Sequence, residues 1–450
     1  MKNYHARPRL KVTVGGRGVV AHADARLVAE IAETVGLTAA LSAAMTPTRQ
    51  RAGGHDRGRV LVDLAVTLAD GGETISDLAV LRDQPALFGK VASTPTAWRA
   101  LQAIDDAALS RIGEARAAAR ARAWAAGMDP GFYVIDIDAT LIGSHSEKEQ
   151  AAPTYKRGFG FHPLGAWLDA TGEQLAMLLR PGNAGSGTAA DHVTVLDAAL
   201  AQLPVPASKM IARREDPHPG AQLTFTDIDG HRLQLMVTDL DDDDIAYPEA
   251  LYRGRGRAER AICDANDLGL ANLPSASFTI NQAWLAIVGM AQDLLAWARH
   301  LTLDGDLARA EPKRLRYCLL HAAAQLVTSS RRRTLRIAEG WPGPPISSPP
   351  STGSAPSATP SPAASPAPAG VRRRRGRRRR RSGPVPVPEP PRRRPRAAPR
   401  AHRGGVNEPG VPTGAGRGHG SRRSSWLSRA ACRSWWSRSA RFGASRAASA

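Results

Sequence analysis

The sequence predicts an α/β protein in three parts: an all-α region over 1–128, a core over 129–341 in which strands give way to helices, and a disordered tail over 342–450. Three observations predict it. Apolar residues recur at helical spacing over 24–45, 57–70 and 94–126. At Met128-Asp129-Pro130-Gly131 that spacing stops, and short apolar runs bounded by turn residues follow. From Trp341 onward the composition changes to Arg, Pro, Ser, Ala and Gly.

The elements follow in order. Short helices joined by Gly-rich turns occupy about 20–128, with Thr94 to Thr96 supplying a polar start and a proline. Such a bundle serves either as a helix-turn-helix DNA reader or as a packing domain without groove contact, and both readings stay open. Phe132 to Ile137 reads as a buried strand and Leu175 to Leu179 as another, followed by a helix over 188–202 and a short strand from Lys209 to Arg213. Ala221 to Thr226 and His231 to Thr238 read as a hairpin across Asp229-Gly230. Helices are expected over 257–268, 279–303 and 311–327. Strands followed by helices suggest layered α/β or α+β packing.

Charge divides the chain. Residues 342–450 hold 23 of the 61 Lys+Arg and 2 of the 41 Asp+Glu, which leaves 38 basic and 39 acidic residues in 1–341. Any nucleic-acid contact by the folded part must therefore come from local clusters rather than from the net charge of +20. The tail, with Arg372–Arg375 and Arg377–Arg381, lacks the apolar residues to offset chain entropy. It reads either as an arginine arm that grips phosphates or as a frame-shifted translation of a GC-rich gene. Cys263, Cys318 and Cys432 lie far apart with no CxxC pair, which argues against a zinc site or a disulfide scaffold and fits a reducing cytoplasm. Met1 to Val20 holds no apolar run, and no stretch of about 18 apolar residues occurs, so neither a signal peptide nor a membrane span is expected.

Two constellations carry chemistry. In FYVIDIDATLIG, Asp136 and Asp138 stand two apart at the end of an apolar strand, so their side chains share a face. Paired carboxylates there suit Mg²⁺, a hard cation that takes oxygen ligands. The plainer reading is a strand end with solvated acids. In LYRGRGRAERAICDAND, helical geometry at about 100° per residue brings Tyr252, Arg255, Glu259 and Asn266 towards one face. Arg253, Arg255, Arg257 and Arg260 around one acid suit a metal at Glu259 with phosphates alongside, although i,i+4 pairing on a surface helix explains the same spacing. Lys156 and Arg157, between His145 and His162, are placed to meet a phosphate backbone. The acidic run Asp241 to Asp244 lacks the spacing of a calcium loop and reads as solvated.

The stretch DIDATLIGSHSEKEQAAPTYKRGFGFHPL resembles the first-Asp region of insertion-sequence transposases of the thirteen-eighty group. VLVDLAVTLADGGETISDLAVLRDQPALFGKVASTPTAWRAL before it, RREDPHPGAQLTFTDIDGHRL after it, and NLPSASFTINQAWLAIVGMAQDLLAW resemble the same group, so the likeness covers about 1–341. The resemblance implies an RNase H-like mixed-sheet catalytic core behind an N-terminal DNA-binding region. It implies Mg²⁺- or Mn²⁺-dependent cleavage and strand transfer at transposon ends. The partner would be double-stranded DNA, at the ends and the target, bound by a homodimer on paired ends in the cytoplasm at the nucleoid. The first Asp maps to Asp138, with Asp136 the near neighbour. The signature Y-x2-R-x3-E-x6-K maps to Tyr252, Arg255 and Glu259, and Asp138 and Glu259 are the implied metal carboxylates.

This chain departs from that pattern in three ways. Asn266 replaces the final Lys. Only Pro204-Val205-Pro206-Ala207-Ser208 joins the helix ending near Leu203 to the strand at Lys209, where the family has a further strand and its second Asp. The family's own C-terminus ends near Trp341-Pro342. A deleted second Asp predicts an impaired enzyme. Two other functions stay open. One is a DNA-binding remnant without chemistry. The other is a haloacid dehalogenase-like phosphatase with Asp136 as nucleophile and Asp138 as acid/base, which requires a parallel sheet.

Overall fold

The computed structural model describes residues 16–49, 54–131, 133–144, 147–185, 188–203, 209–215, 232–238, 250, 258–329 and 332–341. All belong to one compact unit, Met1–Gly353. The expected tail, 342–450, lies outside the described residues, as do the joining segment 204–208 and the acidic run 241–244.

The run 24–45 forms two helices, α1 (Ala25–Thr34) and α2 (Leu37–Met45), because Gly36 turns left-handed between them at φ 71°. Helix α3 spans Arg57–Asp70, the range read from the sequence. Its start is fixed by Asp56, whose carboxylate accepts from the Arg59 amide at 2.8 Å, and its end by Gly71 at φ 109°. Gly58 lets α3 lie directly on α2, since a Cβ there would sit 2.2 Å from the Ser42 amide nitrogen. Two single turns, α4 (Ala79–Arg82) and α5 (Pro85–Phe88), follow. The run 94–126 also divides, into α6 (Thr94–Gln102) and α7 (Asp106–Ala123), because Asp105 caps a new helix by accepting from the Ala108 amide at 2.7 Å.

Strand β1 (Val19–Val20) precedes the helices. Strands β2 (Ile135–Ala139), β3 (Ile142–Gly143), β4 (Ala152–Pro153), β5 (Phe159–Phe161), β6 (Leu164–Leu168) and β7 (Gln174–Leu178) follow them. They form two antiparallel sheets, ordered β2-β6-β7 and β3-β5-β4. Helix α8 (Ala189–Leu200) packs on β6 and β7. Strand β8 (Lys209–Glu215) pairs antiparallel with β9 (Arg232–Thr238) over seven residues. Of the expected hairpin, 232–238 is a strand, paired on one edge with 209–215, while 221–226 lies outside the described residues. Helices α9 (Ala258–Asp267) and α10 (Phe278–Thr302) come next.

The helix expected over 311–327 stops at Leu320 and gives way to strand β10 (Ala324–Ser329), which pairs with β1 and with β11 (Arg332–Ile337). Its alanines favour a helix locally, but two available strand partners override that preference. Every strand pairing among the described residues is antiparallel. The described sheets thus lack the parallel part of the mixed sheet that was expected.

One hydrophobic core runs from Ala25 to Leu320 and joins α1–α3, α6 and α7 to α10 and to the β2-β6-β7 sheet. Helix α10 is its axis, with Trp284 and Trp297 fully buried. A charged cluster lies inside that core. Arg120 donates to Glu173 at 2.9 Å, to Gln202 at 2.6 Å and to Asp293 at 3.0 Å, and Arg116 donates to Asp293 at 2.9 Å. Trp124 and Trp297 donate to the two Glu173 oxygens at 3.0 and 2.7 Å. The four ions balance, and their donors and acceptors are extensively matched, the condition under which buried charge is tolerated. The cluster ties α7, the start of β7 and α10 together. Cys318 is a free thiol. No single helix among the described residues is long and apolar enough to cross a membrane.

Candidate active site

Strand β2 carries both aspartates. Among the described strands it lies at the edge of its sheet, with Asp136 opposite Trp167 and Asp138 opposite Gly165 on β6. Their burial differs, Asp136 being 6% exposed and Asp138 half-buried. Asp138 Oδ1 accepts from the amide of Ala139 at 2.8 Å. Gly165 brings no side chain beside Asp138, and the place its Cβ would take is filled by the Trp167 indole, 2.4 Å away. The accessible carboxylate of the pair is therefore Asp138.

Glu259 stands exposed in the first turn of α9, and α9 packs against β2. Two residues about 120 apart in sequence thus lie on neighbouring elements. A relay of hydrogen bonds holds them there. Trp167 on β6 donates to Gln292 on α10 at 3.3 Å, and Gln292 donates to the Ala261 carbonyl on α9 at 3.1 Å. Arg260 pairs with Asp264 at 2.8 Å rather than standing free for phosphate, and Arg299 donates to the same Asp264 at 3.1 Å. Of the arginines expected around Glu259, Arg253, Arg255 and Arg257 lie outside the described residues, as does Tyr252.

At its far end α9 is anchored by Arg316. Its guanidinium donates to the Asp267 carbonyl at 2.9 Å and also to the carbonyls of Leu68 (2.9 Å) and Ala69 (3.0 Å), closing the end of α3. Lys148 and Glu149, in the segment after β3, dock on the start of α10. Lys148 donates to the Leu273 and Ser275 carbonyls at 2.9 Å, and Glu149 accepts the Phe278 amide at 2.8 Å. These contacts gave no signal in the sequence.

Lys156 and Arg157 occupy the exposed turn between β4 and β5. The turn is closed by Thr154 and Gly158, with Arg157 at φ 60°, and Tyr155 at its tip is 71% exposed. No acid pairs with either cation among the described residues, and Lys156 Nζ lies 5.7 Å from the Tyr155 ring centre. His162 is buried, with Nδ1 2.9 Å from the Ala184 carbonyl, and reads as a pin for the loop after β7. His145 lies outside the described residues.

The phosphatase reading fails on topology. It needs the DxD strand in a parallel sheet, and β2 has an antiparallel partner, β6, across its whole length. What the geometry offers instead is a strand-end aspartate on β2 and an exposed glutamate on a helix packed against that strand. A family model described as transposase DDE domain, group 1, matches residues 2–205 and 206–347. The chain belongs to the group 1 DDE transposases. No curated protein matches it. As a transposase it acts on DNA, and the acids of β2 and α9 are its candidate catalytic set. Those acids suit the divalent metal such domains use, since carboxylate oxygens are the donors a hard cation takes. Asp138 is open to solvent on one side and Glu259 is exposed, so both can be reached by an ion carrying water and phosphate oxygens.

Proposed function

We propose that the chain is an insertion-sequence transposase of the thirteen-eighty group whose catalytic centre has lost its second aspartate. The observation that carries the reading is the packing of the Glu259 helix against the Asp138 strand. Asp138 and Glu259 would hold Mg²⁺ or Mn²⁺, with Asp136 as the buried neighbour. The metal would supply the charge that activates an attacking oxygen and stabilises a leaving one. The chain's own part is to fix the two acids on rigid elements and to present Lys156 and Arg157 to the DNA backbone. Tyr252, Arg255 and Arg257 would lie along the same path, as the family signature implies.

The loss rests on the segment between α8 and β8. The two stretches of the family match meet between Val205 and Pro206, inside that segment. Helix α8 ends at Leu200 and β8 begins at Lys209, too short a span for a further strand and its loops. The wholly antiparallel pairing of the described strands supports the same reading, because an RNase H-like core adds parallel strands at this point. An enzyme with two of three metal carboxylates loses most of its metal affinity and turnover.

A supercoiled plasmid carrying the element's ends, incubated with Mg²⁺ or Mn²⁺, tests the reading. Little nicking above a Glu259→Gln control is expected. Robust nicking that depends on Glu259 would overturn the proposed loss. The second reading, a DNA-binding remnant, draws on the basic turn at Lys156 and Arg157, which no acid pairs among the described residues. Preferential gel shift of element ends over random DNA, at varied salt, would favour it.

A further inference from the structure

A second cluster of metal-ligating groups lies away from the carboxylates of β2 and α9. His22 sits in the loop after β1, Asp70 at the last turn of α3, and His321 just before β10. Their ligating atoms all lie within 4.8 Å of one another. His22 Nδ1 is 2.7 Å from Asp70 Oδ2, and His321 Nε2 is 3.5 Å from Asp70 Oδ1. The two imidazole rings are 4.4 Å apart, tilted by 50°.

Two features set this cluster apart from an ordinary hydrogen-bonded trio. Asp70 is about nineteen-twentieths buried, yet its Oδ1 has no hydrogen-bond donor, and His321 Nε2 lies 2.7 Å from the Asp70 main-chain oxygen instead. An orphaned carboxylate oxygen beside two imidazoles is costly unless something occupies the centre. In addition, His22 is held at φ 53°, a left-handed conformation that costs a non-glycine residue energy and persists only where surroundings enforce it.

We propose that His22, Asp70 and His321 form a binding site for a transition-metal ion of the zinc class, with one position left to water. Two imidazole nitrogens and one carboxylate oxygen match zinc's preference and not that of magnesium, which takes oxygen donors. The site is therefore chemically distinct from the carboxylate pair of Asp138 and Glu259. Ligands held at about 2.0–2.1 Å around a tetrahedral ion stand roughly 3.3–3.5 Å apart. The Oδ1–His321 spacing already meets that figure, and on loading Nε2 releases its proton and exchanges its hydrogen bond to the Asp70 main-chain oxygen for the ion. The His22–Oδ2 spacing is a hydrogen-bond distance, which loading widens by about 0.6 Å as the ion replaces the proton between them. His22 is 30% exposed at its side chain and has room to make that shift. Arg316 does not compete for the ion's place, because its guanidinium is held by the Leu68, Ala69 and Asp267 carbonyls. A bound ion would tie β1, the end of α3 and the β10 hairpin at one point.

The test uses the full chain, freed of metal by a chelator and titrated with Co²⁺ as a coloured stand-in for zinc. The wild type is expected to develop the intense visible absorption of four-coordinate cobalt, saturating at one equivalent and abolished by Zn²⁺. His22→Ala and His321→Ala should each bind on the order of 100-fold more weakly. Asp138→Asn with Glu259→Gln should leave the signal unchanged. A wild-type cobalt signal equal to that of His321→Ala overturns the proposal. Should those variants fail to fold, X-ray absorption of zinc on the wild type decides: two imidazole nitrogens are expected, and an all-oxygen shell overturns it.

Discussion

Replacement of Asp293 by alanine is the sharpest test of how the core is held. The carboxylate is fully buried and accepts from Arg116 and Arg120 at 2.9 and 3.0 Å, and from the Gln174 amide at 3.1 Å. Its removal leaves two buried guanidiniums facing one remaining acid, Glu173. Breaking a buried pair from one side costs about 3–5 kcal/mol, because the surviving charge keeps its desolvation cost and loses its partner. In a unit of this size that lowers the melting temperature by about 4–7 °C. Urea denaturation of wild type and Asp293→Ala, followed by circular dichroism, reads the cost from the midpoint. A double cycle adds Arg116→Met and the combined variant. The pair should then cost about 1–3 kcal/mol less than the sum of the singles, since the combined variant restores charge balance. A single-variant cost below about 1 kcal/mol, or strict additivity, would refute the claim that these charges act as one unit.

Two further outcomes are expected. Burial raises the Asp24 carboxyl from 3.8 to about 6, so the folded state takes up a proton more readily than the unfolded chain between those values. Its contribution is then complete below about pH 4 and is lost as pH rises through 6. With its partial exposure counted, Asp24→Asn should be about 1 kcal/mol more stable than wild type at pH 7 and equal to it at pH 4. A pH-independent difference in urea midpoints would exclude this origin. At the basic turn, Lys156→Ala with Arg157→Ala should lower the slope of log K against log salt for duplex DNA by about 1.8, two phosphate contacts' worth, with the tail contributing equally to both proteins. An unchanged slope would remove that turn from the DNA interface.

Much of the fold was legible wherever local signals act alone. Arg57–Asp70 was readable to the residue because an aspartate opens it and a glycine closes it. Helix α10 was readable from its long apolar periodicity. The misreadings came from contacts between distant residues. Leu164–Leu168 is a fully buried central strand, with no alternation to mark it and a glycine at its second position. Ala324–Ser329 follows an alanine-rich run that looks helical, and only pairing with β1 and β11 makes it a strand. At the candidate site, the two acids were visible because their neighbours in sequence are unusual. That Asp136 is the buried one and Asp138 the open one depends on strand β6 and was not visible. The Arg120 cluster was equally silent, since its members are spread from Arg116 to Asp293 and none sits in a motif.

Arg316 has a mechanical consequence. Its guanidinium holds the Asp267 end of α9, eight residues from Glu259, while Gln292 holds the Ala261 carbonyl near the other end. At 1.5 Å per residue the arm is about 12 Å, so with the Gln292 hold removed a tilt of about 10° about the Arg316 end would move Glu259 by roughly 2 Å. A displacement of that size is enough to separate a carboxylate from a shared ion. Substitutions at Gln292 and Arg316 together would therefore disturb the placement of Glu259 without touching either acid.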